Sequence, residues 1–471
     1  MGSRFAAARF VHVALALAAV AAAPASSQSD GEDECAPFWV SEFGAAGADG
    51  TVYAFAIFDD GRGEGPCLFV GGLFGSIGGV PANFVAKWNG TTWSPLGSGT
   101  NATVRSFAVF DEGMGQGPSL FVGGNFTSAG GMSANGIARW NGVAWSPVSG
   151  AADSSDNGVN GSVLSMAVFD DGSGAGPVLH VGGWFSAASG TPAPNVARWN
   201  GSSWSAMGNG LDGSVFTFAA YDDGSGDGPA LYTGGWFTKS GATVVNRIAR
   251  WNGSEWTPVG EGVDSGVHAL AVWDDGRGRG PSLYVGGFFS NAGREFAQNI
   301  ARWDGANWSA LPLQIAGAVQ SLAVHDDGTG GGKQLYAGGG MFIPVGAAFP
   351  FAGVAKWDGA EWSLLQGGTD NVVFRVFGTT SGSAVGNALY AGGSFLAVAG
   401  LPAKFMARWQ GCLTPQPCAP EDFNCDDVVD GNDLGTLLGS WGPCAGCNTD
   451  LNGDGVVDGE DLGALLGAWS P

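Results

Sequence analysis

Two copies of one acidic unit stand near the C-terminus, and their side chains have the chemistry to bind a divalent cation. In each copy, oxygen-bearing side chains occupy positions 1, 3, 5, 9 and 12 of a twelve-residue stretch, with a backbone carbonyl at position 7, which is the ligand spacing of a calcium loop. The candidate ligands are Asp422, Asn424, Asp426, Val428, Asp430 and Asp433 in the first copy, and Asp450, Asn452, Asp454, Val456, Asp458 and Asp461 in the second. The sequence therefore predicts two calcium ions as cofactors, one in each loop.

Each loop runs into an apolar stripe at helical spacing, which predicts one helix after each loop. The stripes are Leu434, Leu437, Leu438 and Trp441, then Leu462, Leu465, Leu466 and Trp469. A loop and a helix in duplicate resemble a dockerin domain over residues 421–471, and the intervening Gly-Pro-Cys-Ala-Gly-Cys resembles the tails of secreted bacterial proteins. The resemblance implies a cohesin-like or cell-surface partner. Gly431-Asn432 and Gly459-Glu460 stand where cohesin-binding dockerins carry hydroxyl residues, so sorting and anchoring stay equally open.

A second set of carboxylates recurs along the rest of the chain, together with one basic residue in each unit. The acidic pairs are Asp59-Asp60, Asp111-Glu112, Asp170-Asp171, Asp222-Asp223, Asp274-Asp275 and Asp326-Asp327, and Thr380-Ser381 takes the seventh slot. The basic residues are Lys87, Arg139, Arg198, Arg250, Arg302, Lys356 and Arg408. A catalytic carboxylate pair is normally a single constellation, so repetition favours structural ion pairs. Weak calcium binding by these loops stays an alternative.

The elements that position these residues belong to a seven-fold repeat of about fifty residues. Each unit has a Gly-Gly pair and, further on, an Ala-Lys/Arg-Trp tripeptide, and in six units a second Trp follows. The pairs begin at Gly71, Gly123, Gly182, Gly234, Gly286, Gly338 and Gly392, and the tripeptides end at Trp88, Trp140, Trp199, Trp251, Trp303, Trp357 and Trp409. Self-similarity of this kind indicates a repeat architecture.

The second unit predicts four antiparallel strands with no helical period. Alternating residues at 104–110, an apolar run at 119–126, a strand at 136–140 and one at 143–148 are separated by turn signals, including Asn141-Gly142. This is the blade of a β-propeller. The Leu-Phe/Tyr-Val-Gly-Gly and Trp motifs resemble kelch-type propellers over residues 36–411. The fold class predicted is therefore all-β, a seven-bladed β-propeller with a small C-terminal α-helical, calcium-binding, dockerin-like domain.

The seventh unit lacks the second Trp strand, and residues 38–41 at the other end of the propeller segment look like that strand. We expect this segment to pair with the third strand of blade seven and so to close the ring. The same alignment brings Cys35 near Cys412, which predicts a disulfide bond there; pairing of Cys412 with a cysteine of the tail is the alternative. Cys67 is predicted to be a buried, unpaired residue.

The chain divides into a signal peptide at residues 1–25, the propeller at 36–411, a linker at 412–420 and the dockerin-like domain at 421–471. Arg4 and Arg9 precede an apolar stretch and a small-residue cleavage site, which predicts secretion to an extracellular or cell-surface location and no membrane span after cleavage. The net charge of −23 argues against nucleic acid as a partner, since nucleic-acid binding needs a basic face.

The repeat indicates the fold but carries little information about function, because propellers host many unrelated activities. His180, His268 and His325 fall on repeat strands, and no triad spacing is present. The favoured interpretation is a secreted, non-catalytic propeller that binds a glycan or protein ligand. The alternative is a polysaccharide-active propeller enzyme that the tail recruits to an assembly. Insertions at residues 150–161 and 341–351 are candidate ligand loops.

Overall fold

A computed structural model of the chain describes residues 37–40, 47–149, 157–171, 176–312, 317–341, 352–379, 386–411, 421, 429, 431–444, 449–452 and 455–469. Within these residues it has seven four-stranded antiparallel sheets and two short helices. The sequence-based prediction of an all-β, seven-bladed propeller is confirmed. No described helix is long and apolar enough to cross a bilayer.

The first six blades each use four strands in chain order, and in blades one to five a small hairpin interrupts the connection between the second and third strands. Blade one contains Val52–Phe58, Cys67–Gly72, Val85–Trp88 and Trp93–Pro95; blade two contains Val104–Phe110, Ser119–Gly124, Ile137–Trp140 and Trp145–Pro147. Blade three contains Ser162–Phe169, Val178–Trp184, Val196–Trp199 and Trp204–Ala206; blade four contains Val215–Tyr221, Ala230–Gly235, Ile248–Trp251 and Trp256–Pro258. Blade five contains Val267–Trp273, Ser282–Gly287, Ile300–Trp303 and Trp308–Ala310; blade six contains Val319–His325, Gln334–Met341, Ala352–Trp357 and Trp362–Leu364.

Blade seven is built from both ends of the propeller segment, as the sequence predicted. It contains Val373–Thr379, Ala388–Gly393 and Met406–Gln410, and its outer strand is Phe38–Val40. Trp39 lies opposite Trp409 in the register, and their ring centroids are 5.2 Å apart. This pair takes the place of the Trp doublets of the other blades, whose centroids are 5.0 to 5.4 Å apart. Cys35 and Cys412 lie outside the described residues.

Small hairpins occupy the second-to-third connection of six blades. They are Ser76–Ile77 with Val80–Pro81, Ser128–Ala129 with Met132–Ser133, Ala187–Ala188 with Thr191–Pro192, Lys239–Ser240 with Thr243–Val244, Asn291–Ala292 with Glu295–Phe296, and Ala397–Val398 with Leu401–Pro402. The sequence predicted a polar connection here without secondary structure. A pair of two-residue strands is too short to show an alternating pattern.

The Gly-Gly pairs allow the blades to pack closely. A Cβ atom on the first Gly of each pair would overlap a valine side chain of the next blade. The seven contacts run Gly71–Val104, Gly123–Val163, Gly182–Val215, Gly234–Val267, Gly286–Val319, Gly338–Val373 and Gly392–Val52. The last contact joins blade seven to blade one, so the first strands form a closed inner ring.

Each first strand has an irregularity at its start that puts one residue out of register. The pairing shifts between Val52 and Ala54 in blade one, and equivalent shifts occur in the other six blades. A bulge of this kind changes the direction of the unpaired side chain. The unpaired residue follows a fully buried valine in every blade.

The described part of the C-terminal segment has two helices, Gly431–Gly439 and Gly459–Gly467, and a small sheet formed by Gly442–Pro443 and Val456–Val457. Val429, Leu437, Val457 and Leu465 form its buried core. Both helices occur where the apolar stripes predict them. Leu437 and Leu465, which belong to those stripes, provide the buried contacts.

Candidate functional site

The first carboxylate of the repeated acidic pairs is used inside its own loop. Asp59 accepts a hydrogen bond from the Gly61 amide at 2.9 Å. In the same way, each of four other first carboxylates accepts a hydrogen bond from the backbone amide two residues later: Asp111, Asp222, Asp274 and Asp326. These are Asx turns, which shape the first hairpin. A carboxylate in this arrangement has a structural role, and the loop geometry is accounted for without a ligand.

The second carboxylate pairs with the basic residue of the third strand, as predicted. The closest N–O distances are 2.6 Å for Lys87–Asp60, 3.2 Å for Arg198–Asp171, 3.3 Å for Arg250–Asp223 and 2.9 Å for Lys356–Asp327, and Arg139 pairs with Glu112. These carboxylates are largely buried, so the neighbouring cation offsets their desolvation. The ion pairs hold the first hairpin against the third strand within a blade.

The same loops also connect neighbouring blades. Glu112 in blade two accepts a hydrogen bond from Trp199 Nε1 of blade three at 2.7 Å. Arg62 Nε in blade one donates to the Gly142 carbonyl of blade two at 2.6 Å. The repeated charges are therefore part of the packing that holds adjacent blades together.

A second polar series lies on the face opposite the acidic loops, and it was not predicted from the sequence. An Asp or Asn three residues before the buried valine accepts hydrogen bonds from backbone amides of the small hairpin, at 2.6 to 3.1 Å. The residues are Asp49, Asn101, Asn160, Asp212, Asp264 and Asp370. Burial raises the pKa of Asp212 and Asp264, but hydrogen bonds from their hairpins outweigh it and leave both below the ordinary value. The sequence does contain a signal for this series, because each Asp or Asn stands three residues before the buried valine of its blade.

The second predicted calcium loop, residues 450–461, is described except for Gly453 and Asp454. Its Gly455 has a φ of +90°, and its amide donates to Asp450 Oδ2 at 2.7 Å. A glycine at position 6 bonded to the first carboxylate gives the sharp turn that a calcium loop needs. Asp458, at position 9, caps the second helix through the Glu460 amide at 2.9 Å.

The closing carboxylate of this loop is buried and points into the loop. Asp461 accepts hydrogen bonds from the amides of Leu451, Asn452 and Asp458, at 2.7, 3.2 and 2.9 Å. The Asp458 amide is the main cause of a pKa below the ordinary value for Asp461. Among the described residues, no three His, Cys, Asp or Glu side chains are grouped as metal ligands. The left-handed Gly455 and the oxygen-bearing side chains of the described loop residues are those that the predicted calcium loop requires.

Most of the first calcium loop, including Asp422, Asn424, Asp426, Val428 and Asp430, lies outside the described residues. Its closing carboxylate, Asp433, is buried on the first helix, as Asp461 is on the second. Cys444 is disulfide-bonded, whereas Cys67 is buried and free, as predicted. Asp433 and Asp461, the last predicted acidic ligand of each loop, are therefore both buried on the helix that follows.

The unpaired residues of the seven bulges lie on the inner ring and differ from blade to blade. They are Tyr53, Arg105, Leu164, Phe216, His268, Gln320 and Phe374. They contact one another across blades: Tyr53 and Phe374 have centroids 5.2 Å apart, and Arg105 Cζ lies 4.0 Å from the Tyr53 ring centroid. His268 Nδ1 is 2.8 Å from Gln320 Oε1, and burial lowers the histidine pKa. The first strands of all seven blades contain no Asp or Glu.

Three successive blades expose an aromatic side chain directly after the Gly-Gly pair. The exposed fractions are 72% for Trp184, 44% for Trp236 and 59% for Phe288. The next residue in each blade is a buried phenylalanine, so the chain turns one aromatic into the core and the other towards solvent. Leu73, Asn125, Gly340 and Ser394 occupy the same slot in the other blades. We call Trp184, Trp236 and Phe288 the aromatic row.

Neighbouring groups hold the middle ring of the aromatic row in place. Arg247 Cζ lies 5.4 Å from the Trp236 ring centroid, and Arg247 Nη1 donates to the Trp236 carbonyl at 2.8 Å. A Cβ on Gly266 would come within 2.7 Å of Trp236 Cε2, so this indole lies over the start of blade five. The Trp236 ring is therefore held in place by contacts within the chain.

The two predicted insertions are described only in part. Residues 150–156 and 342–351 lie outside the described residues, whereas residues 157–161 lead into blade three next to the aromatic row. A Cβ on Gly161 would meet the Trp184 carbonyl oxygen, and the buried Asn157 accepts a hydrogen bond from the Asn135 amide at 2.9 Å. The end of the first insertion is thus fixed on the face that carries Trp184.

No protein-family profile and no curated protein matches this chain. Among solved structures, the extracellular domain of a hybrid two component system from B. thetaiotaomicron is 13% identical, with a TM-score of 0.47 over 79% of this chain and 40% of that one. BBS1N in complex with ARL6DN is 11% identical, with a TM-score of 0.45 over 80% of this chain and 98% of that one. YCF48 from Cyanidioschyzon merolae is 12% identical, with a TM-score of 0.39 over 77% and 96%. At these identities and scores the names carry no argument about this chain.

Proposed function

We propose that the protein is a secreted, non-catalytic propeller that binds a glycan on the aromatic row, with a calcium-loaded C-terminal domain that attaches or sorts it. The observation that carries the binding proposal is the exposure of Trp184, Trp236 and Phe288 in three successive blades. The fold does not require aromatic side chains there, because Asn125 and Ser394 occupy the same slot in other blades. Exposed aromatic residues on one face are a common feature of recognition surfaces.

The spacing of the aromatic row favours an extended, repetitive ligand. Packed sheets lie roughly 10 Å apart, so equivalent side chains of adjacent blades are separated by about that distance. Isolated flat rings at a regular interval suit stacking against sugar units spaced along an extended chain. A protein partner would more often meet a contiguous apolar patch. Glycan is therefore the ligand class that we favour over protein.

The enzyme alternative needs a pair of carboxylates near the ligand. The first strands have none, and the carboxylates of the acidic pairs are held in Asx turns and ion pairs on the opposite face. Asp212 and Asp264, on the face of the aromatic row, accept hydrogen bonds from the amides of their own hairpins. Binding without catalysis is the function that these residues support best.

Replacing Trp184 and Trp236 with alanine tests the proposal. A glycan-array screen of the wild-type protein identifies a ligand, and calorimetry then measures its affinity for each variant. We expect at least a tenfold weaker Kd for each single variant, because truncating a central aromatic contact costs about 2 kcal/mol or more and about 1.4 kcal/mol is already tenfold. The unfolding midpoint should not change, since both side chains are exposed.

Val143→Ala is the matched control for this test. Val143 is exposed in the Asn-Gly turn on the opposite face, so its loss should leave the affinity unchanged. Glycan binding that survives the double variant W184A/W236A would rule out the aromatic row as the site. If the wild-type protein binds another protein but no glycan, a protein is the favoured ligand class.

For the C-terminal domain we propose two calcium ions. The second site would be formed by Asp450, Asn452, Asp454, Asp458, Asp461 and the Val456 carbonyl, and the first by Asp422, Asn424, Asp426, Asp430, Asp433 and the Val428 carbonyl. Gly455 in its left-handed conformation and the Asp450–Gly455 hydrogen bond support the second site. Bound calcium would neutralise the carboxylates and stabilise the fold of this small domain.

Calcium titration of the full chain tests this part. We expect two ions per chain by calorimetry and a higher unfolding midpoint of the C-terminal domain with calcium than with chelator, because a ligand that binds only the folded state stabilises it. Asp450→Ala should reduce the stoichiometry to one. Asp358→Ala, which changes a turn of the propeller, should leave it at two. Identical melting with and without chelator would contradict the proposal.

The partner of this domain stays a prediction. A cohesin-like protein, a cell-surface component and a sorting machinery are compatible with the dockerin-like pattern. The predicted signal peptide, at residues 1–25, lies outside the described residues and supports the proposed extracellular location.

A further inference from the structure

A pocket of about 360 Å³ lies between blades five and six, on the face that carries the acidic loops. Its lining includes Asp275, Arg277 and Arg279 from the first hairpin of blade five, and Arg302 from the third strand. Three guanidinium groups and one carboxylate therefore line the pocket, in a chain whose net charge is −23. A second carboxylate, Asp358, stands beside the lining residue Gly359 and interacts with Arg277. This concentration of positive charge does not recur in the equivalent loops of the other blades, which carry at most one Arg or Lys.

Blade five also lacks the repeated ion pair. In blades one, two, three, four and six the second acidic residue pairs with the basic residue of the third strand. Within the described residues, no ion pair of 4.0 Å or less joins Asp275 and Arg302. Asp275 instead accepts a hydrogen bond from the Arg277 amide at 3.0 Å, and Arg302 Nε is buried without a hydrogen-bond partner. Among the described residues, Arg302 therefore lacks the close carboxylate that its counterparts have, and its side chain contacts the Tyr284 hydroxyl at the pocket.

The remaining walls suit a ligand with an apolar part. Tyr284 and Trp357 are buried aromatic residues at the pocket, and Leu311 and Pro312 line it as well. Burial raises the pKa of Tyr284 to about 12, so its hydroxyl stays protonated and can donate. A volume above 300 Å³ is in the range of small-molecule sites.

We propose that this pocket binds an oxyanion group, a carboxylate, sulfate or phosphate, through Arg277, Arg279 and Arg302. Guanidinium groups bind such anions with two parallel hydrogen bonds, and the rest of the acidic surface repels them. The aromatic row belongs to the opposite face. This site is therefore independent of the proposed glycan surface, and either can fail without the other.

Calorimetric titration of the full chain with three probes tests the proposal: sodium sulfate, sodium phosphate and a galacturonate oligomer, at constant ionic strength set with sodium chloride. We expect saturable binding of at least one probe. The probe that binds best distinguishes inorganic anions from an acidic saccharide as the source of the group. The double variant R277Q/R279Q should bind that probe at least tenfold more weakly, because both side chains are exposed groups of the pocket.

Arg294→Gln is the matched control, since Arg294 is an exposed arginine of the same blade that pairs with Glu261. It should keep the wild-type affinity, and all variants should share one unfolding midpoint. Two results would overturn the proposal: no saturable binding of any probe, or equal binding by the wild type and R277Q/R279Q. An equal loss of probe affinity in R294Q would show that binding depends on overall charge and not on the pocket, and this would also overturn the proposal.

Discussion

Replacing Trp39 with alanine is expected to lower the free energy of unfolding by about 3–5 kcal/mol, the usual cost of removing a buried Trp side chain. Trp39 is only 4% exposed and packs on Trp409 in blade seven. Its strand has three residues and pairs only with Met406–Gln410 among the described strands. Loss of the side chain therefore weakens the connection that closes the ring. Urea unfolding monitored by fluorescence measures the change.

Trp256→Ala is the matched control, because Trp256 is equally buried, occupies the same slot of its blade and also has an indole nitrogen without a partner. Its strand follows the third strand of its own blade directly, so its loss leaves the ring closed. Hydrogen exchange separates the two effects. In W39A the amides of Met406–Gln410 should exchange faster, whereas in W256A the change should stay within blade four. Equal exchange at Met406–Gln410 in both variants would show that Phe38–Val40 does not close the ring.

Mild acid is expected to destabilise the propeller through two buried histidines. Burial lowers the pKa of His180 and His325 to about 4 from an ordinary value of 6.5. Arg198 also lowers the pKa of His180 and Asp171 raises it, whereas Asp327 and Asp326 raise that of His325 and Lys356 lowers it. The net effect of these groups does not offset burial at either site.

The direction of this pH effect on stability follows from the difference in proton binding between the folded and unfolded states. The unfolded chain binds protons at these histidines below pH 6.5, and the folded chain does so only near pH 4. Stability is therefore complete above pH 6.5 and falls between pH 6.5 and 4, by about 3 kcal/mol for each histidine at 1.36 kcal/mol per pH unit. Urea unfolding at pH 7, 5.5 and 4 measures this loss.

Phenylalanine is the appropriate replacement for both histidines, because sister blades carry Phe121 and Phe169 at the equivalent positions. The double variant H180F/H325F should lose most of the pH dependence in this range. Asp327 and the other carboxylates with lowered pKa values lose their contribution only at lower pH. A wild-type slope that persists in the double variant would assign the acid sensitivity to other groups.

The fold could be predicted because its determinants are local and repeated. Gly-Gly pairs mark all seven units, and Trp doublets with Asn-Gly or Asp-Gly turns mark six of them. The missing Trp after Trp409 indicated where the outer strand had to come from. The Asp–Arg pairs followed from the same alignment, since both residues recur at fixed positions. Because the same residue types recur at equivalent positions, each unit of the chain supports the strand assignment of the others.

The candidate binding sites depend on features that a repeat pattern does not show. Trp184 and Phe185 are adjacent aromatic residues, and only the end of the strand decides which one faces solvent. The bulge places residues such as Arg105 and His268 on the inner ring, although a regular alternation would assign them otherwise. The arginine pocket needs Arg277 and Arg279 from one loop and Arg302 from another strand. Such groupings depend on three-dimensional proximity and not on sequence spacing.

The closed cycle of Gly–Val contacts also controls how many blades this chain can hold. Each contact sets the angle between two neighbouring blades, and seven such angles must add up to one full turn. A side chain at Gly71 or at any of its six counterparts would widen one angle. The other six cannot narrow in response, because their own glycines already permit the closest approach. The added angle would therefore appear as a gap where Phe38–Val40 meets Met406–Gln410, the part of the ring that no continuous chain segment spans.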